Sequence, residues 1–154
     1  MTPQLQGAVL VSVMCSSSSS CDVVVRVREM AQPMRGSADT DGMLDFERLD
    51  VYQCALQFAA LSFQILEKMP RGHAELSDQL KRATISIPLN IAEGAGKTSD
   101  RERARYHAIA RGSAMECAAI VDLLRMQALV EPETATTAKT LCVRVVSMLS
   151  KMCR

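Results

Sequence analysis

Tryptophan is absent from this 154-residue chain, and aromatic residues make up only 3% of it. That scarcity removes nearly all the flat side chains on which unpaired bases stack, leaving Tyr106 alone near the basic segment described below. Glycine and proline are also few, at seven and five, while Ala, Leu, Met, Arg and Glu are plentiful, so the composition leans helical. The chain has two histidines, His73 and His107, and none of its six cysteines forms a C-x-x-C pair. Zinc is therefore not expected. Cys54, Cys117 and Cys142 fall within helical patterns, where a free thiol behaves as a small apolar residue, and a reducing, cytoplasmic setting fits them best.

Long apolar runs are missing too, and nothing approaches the roughly 18 residues that cross a bilayer. Residues 8–15, AVLVSVMC, have the apolar character of a signal peptide. The segment before them carries no basic residue, and Met14 is not the small residue a cleavage site requires, so secretion is not expected. A formal net charge of +1 gives no whole-protein field that would favour nucleic acid or membrane.

Two unequal parts make up the chain. Residues 1–42 hold a run of serines from Ser16 to Ser20, a β-branched patch and the polar stretch RGSADTDG, with no sustained period. So short a segment buries too little to order itself, which predicts a disordered extension; a sharper alternative is that translation begins at Met43.

From Phe46 onward four amphipathic segments follow one another. Leu49, Tyr52, Leu56, Ala59, Phe63 and Leu66 make one stripe, which stops near Met69-Pro70-Arg71-Gly72. Leu76, Leu80, Ala83, Ile87 and Ile91 make a second, interrupted by Pro88, where a kink is expected. A third opens with Ser99 and Glu102 in capping-box spacing and continues through Tyr106, Ile109, Ala110, Ser113, Cys117, Ile120, Val121 and Leu124. Glu131-Pro132-Glu133 opens the fourth, whose stripe is Ala138, Leu141, Cys142, Val145, Met148, Leu149 and Met152. No alternating β pattern competes. The expectation is an all-α fold, an antiparallel up-down four-helix bundle over 43–154.

One stretch suggests nucleotide chemistry. Gly94-Ala95-Gly96-Lys97-Thr98 looks like the end of a phosphate-binding loop. The full pattern needs a glycine five positions before Gly96, where Ile91 stands, and a preceding strand, where the helical period runs. The same residues make an ordinary corner: Gly94 or Gly96 supplies a positive φ at the helix end and Ser99 caps the next helix.

Two elements go beyond a generic bundle. They are Ser86-Ile87-Pro88-Leu89-Asn90-Ile91-Ala92-Glu93-Gly94 and, one helix later, Ala110-Arg111-Gly112-Ser113-Ala114-Met115-Glu116. With the DFERLDVYQCAL opening at 45–56, they resemble the four-helix-bundle family of proteins encoded in intervening sequences of 23S rRNA genes, over about residues 43–154. The resemblance implies a four-helix bundle assembling into rings, typically pentamers, with no catalytic activity. A similar protein, the accessory variability determinant of diversity-generating retroelements, binds a reverse transcriptase and nucleic acid. Bacterial, cytoplasmic binding or scaffolding is what the resemblance implies here.

Asn90, Glu93, Arg111, Ser113 and Glu116 are then either a structural polar network at a helix interface, the reading polar groups there usually merit, or a binding site. Charge is uneven: residues 81–111 carry Lys81, Arg82, Lys97, Arg101, Arg103, Arg105 and Arg111 against Glu93, Asp100 and Glu102, a balance of +4. Lys81, Arg82, Lys97, Arg101 and Arg105 are the candidate contacts to an RNA or DNA backbone, salt-sensitive and indifferent to sequence. The alternative is a solvated helix face on a purely structural homo-oligomer or protein-interaction module. No residues are arranged for catalysis, no cofactor or metal is expected, and neither a membrane nor a small-molecule substrate is expected as a partner.

Overall fold

The computed structural model describes residues 42–153. The proposed extension, 1–42, lies outside the described residues except for Gly42. A 3-10 turn at Asp45–Arg48 leads into four helices: α1 (Asp50–Glu67), α2 (Ala74–Ala95), α3 (Asp100–Met126) and α4 (Pro132–Met152). No strand occurs among the described residues.

The breaks follow local chemistry. α1 ends before Pro70, and Gly72 takes φ +104° in the turn that follows, a conformation open mainly to glycine. α4 starts with Pro132 at its first position, where a missing N–H costs nothing, and Glu133 complements the helix dipole. The α2–α3 corner differs from expectation. Gly96 closes α2 with an ordinary right-handed φ of −78°, and Gly94 lies within the helix. Ser99 does occupy the N-cap position of α3, but its side chain makes no capping bond. Arg103 closes the corner instead, donating to the Lys97 carbonyl at 3.2 Å and to Asp100 Oδ1 at 3.0 Å. Between α3 and α4 it is Ala128, not a glycine, that adopts a left-handed φ of 55°; Leu129 N–H bonds the Leu124 carbonyl at 2.9 Å. α2 runs through Pro88, which leaves the Thr84 carbonyl without its usual helical donor.

Each helix packs against two neighbours and none across the diagonal: α1 with α2 and α4, α3 with α2 and α4. Across α2 and α3, Thr84 meets Cys117, Ser86 meets Ser113 and Gly94 meets His107, so the residue numbers run in opposite directions. Lys139 of α4 reaches Ala118 and Asp122 of α3, and the Cys54 thiol of α1 lies 3.8 Å from the Leu141 carbonyl of α4.

Phe58, Leu80, Ile87, Ile91, Leu124, Val145 and Leu149 fill the core, with Ala110, Ala114 and Ala138 allowing close approach of the backbones. The stripes of α2 and α4 hold as expected, Leu76, Met148 and Met152 packing at the margin. Two stripes shift. On α1 the buried set is Val51, Cys54, Ala55, Phe58, Ala59, Leu61, Ser62 and Ile65, with Leu49, Tyr52 and Leu66 of the expected stripe packed against the core, while Leu56 and Phe63 are exposed. α1 is apolar nearly all round, so spacing alone offers two competing faces, and the neighbouring helices choose. On α3, Ile109 is exposed and His107 and Ala114 are buried instead.

Candidate nucleic-acid interface and the polar seam

α2 and α3 meet along a polar seam, and the two distinctive sequence elements line its opposite sides. Ser86, Asn90 and Glu93 recur at three- and four-residue steps on α2, one face of a helix. Ser86 Oγ and Ser113 Oγ lie 2.9 Å apart, and the Asn90 amide donates to the Ser86 carbonyl at 2.8 Å and to its hydroxyl at 3.0 Å. Two turns towards the start of α2, Gln79 bridges Glu116 and Arg82. At the far end Lys97 pairs with Glu93 at 3.2 Å and lies 4.8 Å from the centre of the Tyr106 ring. Hydrogen bonds from Tyr106 and then Lys97 hold the Glu93 carboxyl below the usual carboxylate range; the bond to Glu93 holds the Lys97 amine above its own.

The expected five-residue network is therefore not one network. Asn90 and Ser113 share the central cluster, while Glu93 and Glu116 belong to separate groups on either side of it. Arg111 is half-buried and has no hydrogen bond or ion pair with any described residue. Helix geometry explains this: at about 100° per residue, Arg111 lies roughly 140° around α3 from Glu116, so the two cannot share a seam.

The basic candidates also separate. Lys81, Arg82, Arg101 and Arg105 are exposed, whereas Lys97 is half-buried and its charge is committed to Glu93. Arg101 and Arg105 share the outer face of α3 beside Lys97. Lys81 and Arg82 lie near the opposite end of the seam, about 24 Å of helix away. A second basic group was not visible in the linear pattern: Arg125, Lys139 and Arg144 border a groove of about 300 Å3 between α3 and α4, with Lys139 paired to Asp122. It joins residues from two helices, so only packing assembles it.

Sequence reasoning also missed His107. Its ring is 1% exposed, and neither nitrogen has a hydrogen-bond partner. Burial pushes the imidazole below the usual histidine range; the Met152 backbone opposes that shift and the Arg103 charge adds to it. A polar residue one position after Tyr106, on the core side of the apolar period, is the signal that would have found it.

Cys54, Cys117 and Cys142 are buried free thiols, and desolvation raises all three, Cys117 to about 11. They are protonated at neutral pH and poor nucleophiles. Among the described residues no three His, Cys, Asp or Glu side chains are placed to hold a metal ion. No described helix is long and apolar enough to cross a membrane. Gly94 and Ala95 are helical, so the backbone there does not form a loop around a phosphate.

Residues 47–151 match the model of the family described as 23S rRNA-intervening sequence protein. The fold is similar to a crystal structure of a protein of unknown function from the S23 ribosomal protein family of Bacteroides thetaiotaomicron. That similarity has a TM-score of 0.63 at 21% identity and covers 68% of this chain and 98% of the other. No curated protein matches the chain.

Proposed function

The chain belongs to the 23S rRNA-intervening sequence protein family, and on that premise we propose that it is a non-enzymatic bundle that associates with copies of itself and holds the backbone of RNA or DNA, or an enzyme that acts on it. The observation that carries this reading is the exposed pair Arg101 and Arg105 on one outer face of α3, beside the Lys97 corner. Neither arginine has an ion-pair partner among the described residues, so both charges are available to phosphates. Lys81 and Arg82, exposed near the other end of the seam, and the Arg125–Lys139–Arg144 groove offer further, separate contacts. With so few aromatics, binding is backbone-directed rather than base-specific. Three free buried thiols fit a cytoplasmic setting.

Self-association is supported by apolar side chains on the outer surfaces of two neighbouring helices: Leu56 and Phe63 on α1, Ile85 and Leu89 on α2. In a ring, a modest basic face repeats on every subunit and its field adds. The second reading, a purely structural homo-oligomer, rests on that apolar surface alone.

Titration of single-stranded RNA and duplex DNA against salt separates the two. Affinity that falls steeply with salt, and is lost in Arg101→Glu/Arg105→Glu, is the expected result. Absence of binding at low salt leaves the structural reading. Light scattering behind size exclusion tests assembly, and a clean monomer counts against both.

A further inference from the structure

We propose that His107 is an acid-sensitive latch on the α2–α3 corner: protonation of its buried imidazole unseats the start of α3 from Gly94 and loosens residues 94–105. The geometry is specific. The ring is 1% exposed, and a Cβ placed on Gly94 would stand 3.0 Å from both Cδ2 and Nε2 and 3.3 Å from Tyr106 Cβ. Glycine is therefore what lets α2 close over the ring, and no space remains there for a water to follow a new charge.

The surroundings offer a protonated ring almost nothing. From α3 the charge acting on it is Arg103, one turn earlier, which repels a cation; Arg111, one turn later, has the same sign. From α2, Glu93 is the adjacent carboxylate, and it is already engaged by Tyr106 and Lys97. From α4 the Met152 backbone is the one neighbour that favours a charged ring, although neither ring nitrogen reaches it in hydrogen-bond geometry, and the nearby charged residue is Lys151, which is exposed and also cationic. No carboxylate among the described residues contributes to the balance at the ring. A cation buried without a partner is relieved by opening the contact that buries it. The same contact lies beside the link that carries Lys97 and the first turn of α3 that carries Arg101.

The sign follows from linkage. The unfolded or opened chain takes up a proton near the ordinary value of 6.5, and the closed corner only at lower pH. Closure is thus constant above about pH 7 and weakens as pH falls through 6.5 towards the depressed value. Loss of the basic corner's geometry in acid, and of polyanion binding with it, rests on the function proposed above.

The test is proton NMR of the two histidines, with signals assigned by His107→Gln, alongside amide exchange across residues 94–105. The expected result is a His107 resonance that stays neutral through 6.5 while corner amides lose protection towards about pH 5. In His107→Leu, which keeps the volume and cannot titrate, that loss disappears. A ring titrating at the ordinary value overturns the latch, as does exchange that remains unchanged down to about pH 5. A single-stranded RNA oligonucleotide of mixed sequence, titrated at neutral and acid pH, reads the consequence. No RNA binding at neutral pH, with the exchange response intact, sinks the nucleic-acid reading and leaves the latch standing.

Discussion

Gly94 of α2 and His107 of α3 pack so closely that a Cβ added to Gly94 would lie 3.0 Å from the imidazole, tighter than an ordinary van der Waals contact. Gly94→Ala should therefore cost about 1–3 kcal/mol through overpacking, outweighing the helical preference for alanine. Thermal unfolding reads this as a clear drop in Tm. In the Gly94→Ala/His107→Ala double variant the Gly94 change should become nearly neutral, because the atoms it strikes are gone. Additive losses would mean that the contact is not what makes glycine necessary.

Ser86 is the hub of the central seam cluster and Ser113 its edge. Ser86→Ala deprives both Asn90 and Ser113 of a partner, whereas Ser113→Ala leaves Ser86 bonded to Asn90. The first should cost about 1–3 kcal/mol and the second about 0.5–1.5 kcal/mol, measured by denaturant midpoint at constant slope. The reverse ranking would place the cluster's weight on α3.

Ala128 holds a left-handed φ of 55° that alanine tolerates poorly. Ala128→Gly should raise stability by about 1 kcal/mol despite glycine's greater freedom in the unfolded chain. A melting curve shifted downwards would show that the strain is absent in solution.

Three cysteines are buried and their thiols raised by desolvation, while Cys153 is half-exposed. Under native conditions at neutral pH, a maleimide should label Cys153 well before Cys54, Cys117 and Cys142, as peptide mass spectrometry reports. The three should become reactive together when the bundle unfolds. Rapid native labelling of any one of them would contradict the closed core.

The Glu93–Lys97 pair gives a mild pH dependence at lower values. Because the Glu93 carboxyl is held below the usual range, its contribution is present above the unfolded value of 4.5 and fades as pH falls through the folded one. Glu93→Gln should flatten only that acid limb, and only slightly, since the Glu93 carboxylate is solvent-exposed.

Helix number, order and approximate limits were legible in the chain because apolar spacing and the Pro70, Gly72 and Pro132 punctuation are local signals. The two distinctive elements likewise mark the two sides of the α2–α3 contact. On α1 spacing placed Leu49, Tyr52, Ala59 and Leu66 at the core and misjudged Leu56 and Phe63, which fit a helical period as well as Phe58 and Ile65 do. It also placed Arg111 with Glu116, although helical rotation sets them on different sides of α3. Polar type marks a residue as needing a partner, but rotation and approach decide which partner it finds.

By itself, then, the sequence determined a four-helix chain, its corners and a locally basic segment, all consequences of periodicity, backbone preference and charge count. Tertiary packing decided that Arg125, Lys139 and Arg144 border one groove, and that Gly94 serves close approach rather than a turn. Each of those outcomes depends on the distance between helices far apart in the chain. His107 belongs to the same group: its burial is a property of the three helices α2, α3 and α4 together, visible in none of them alone.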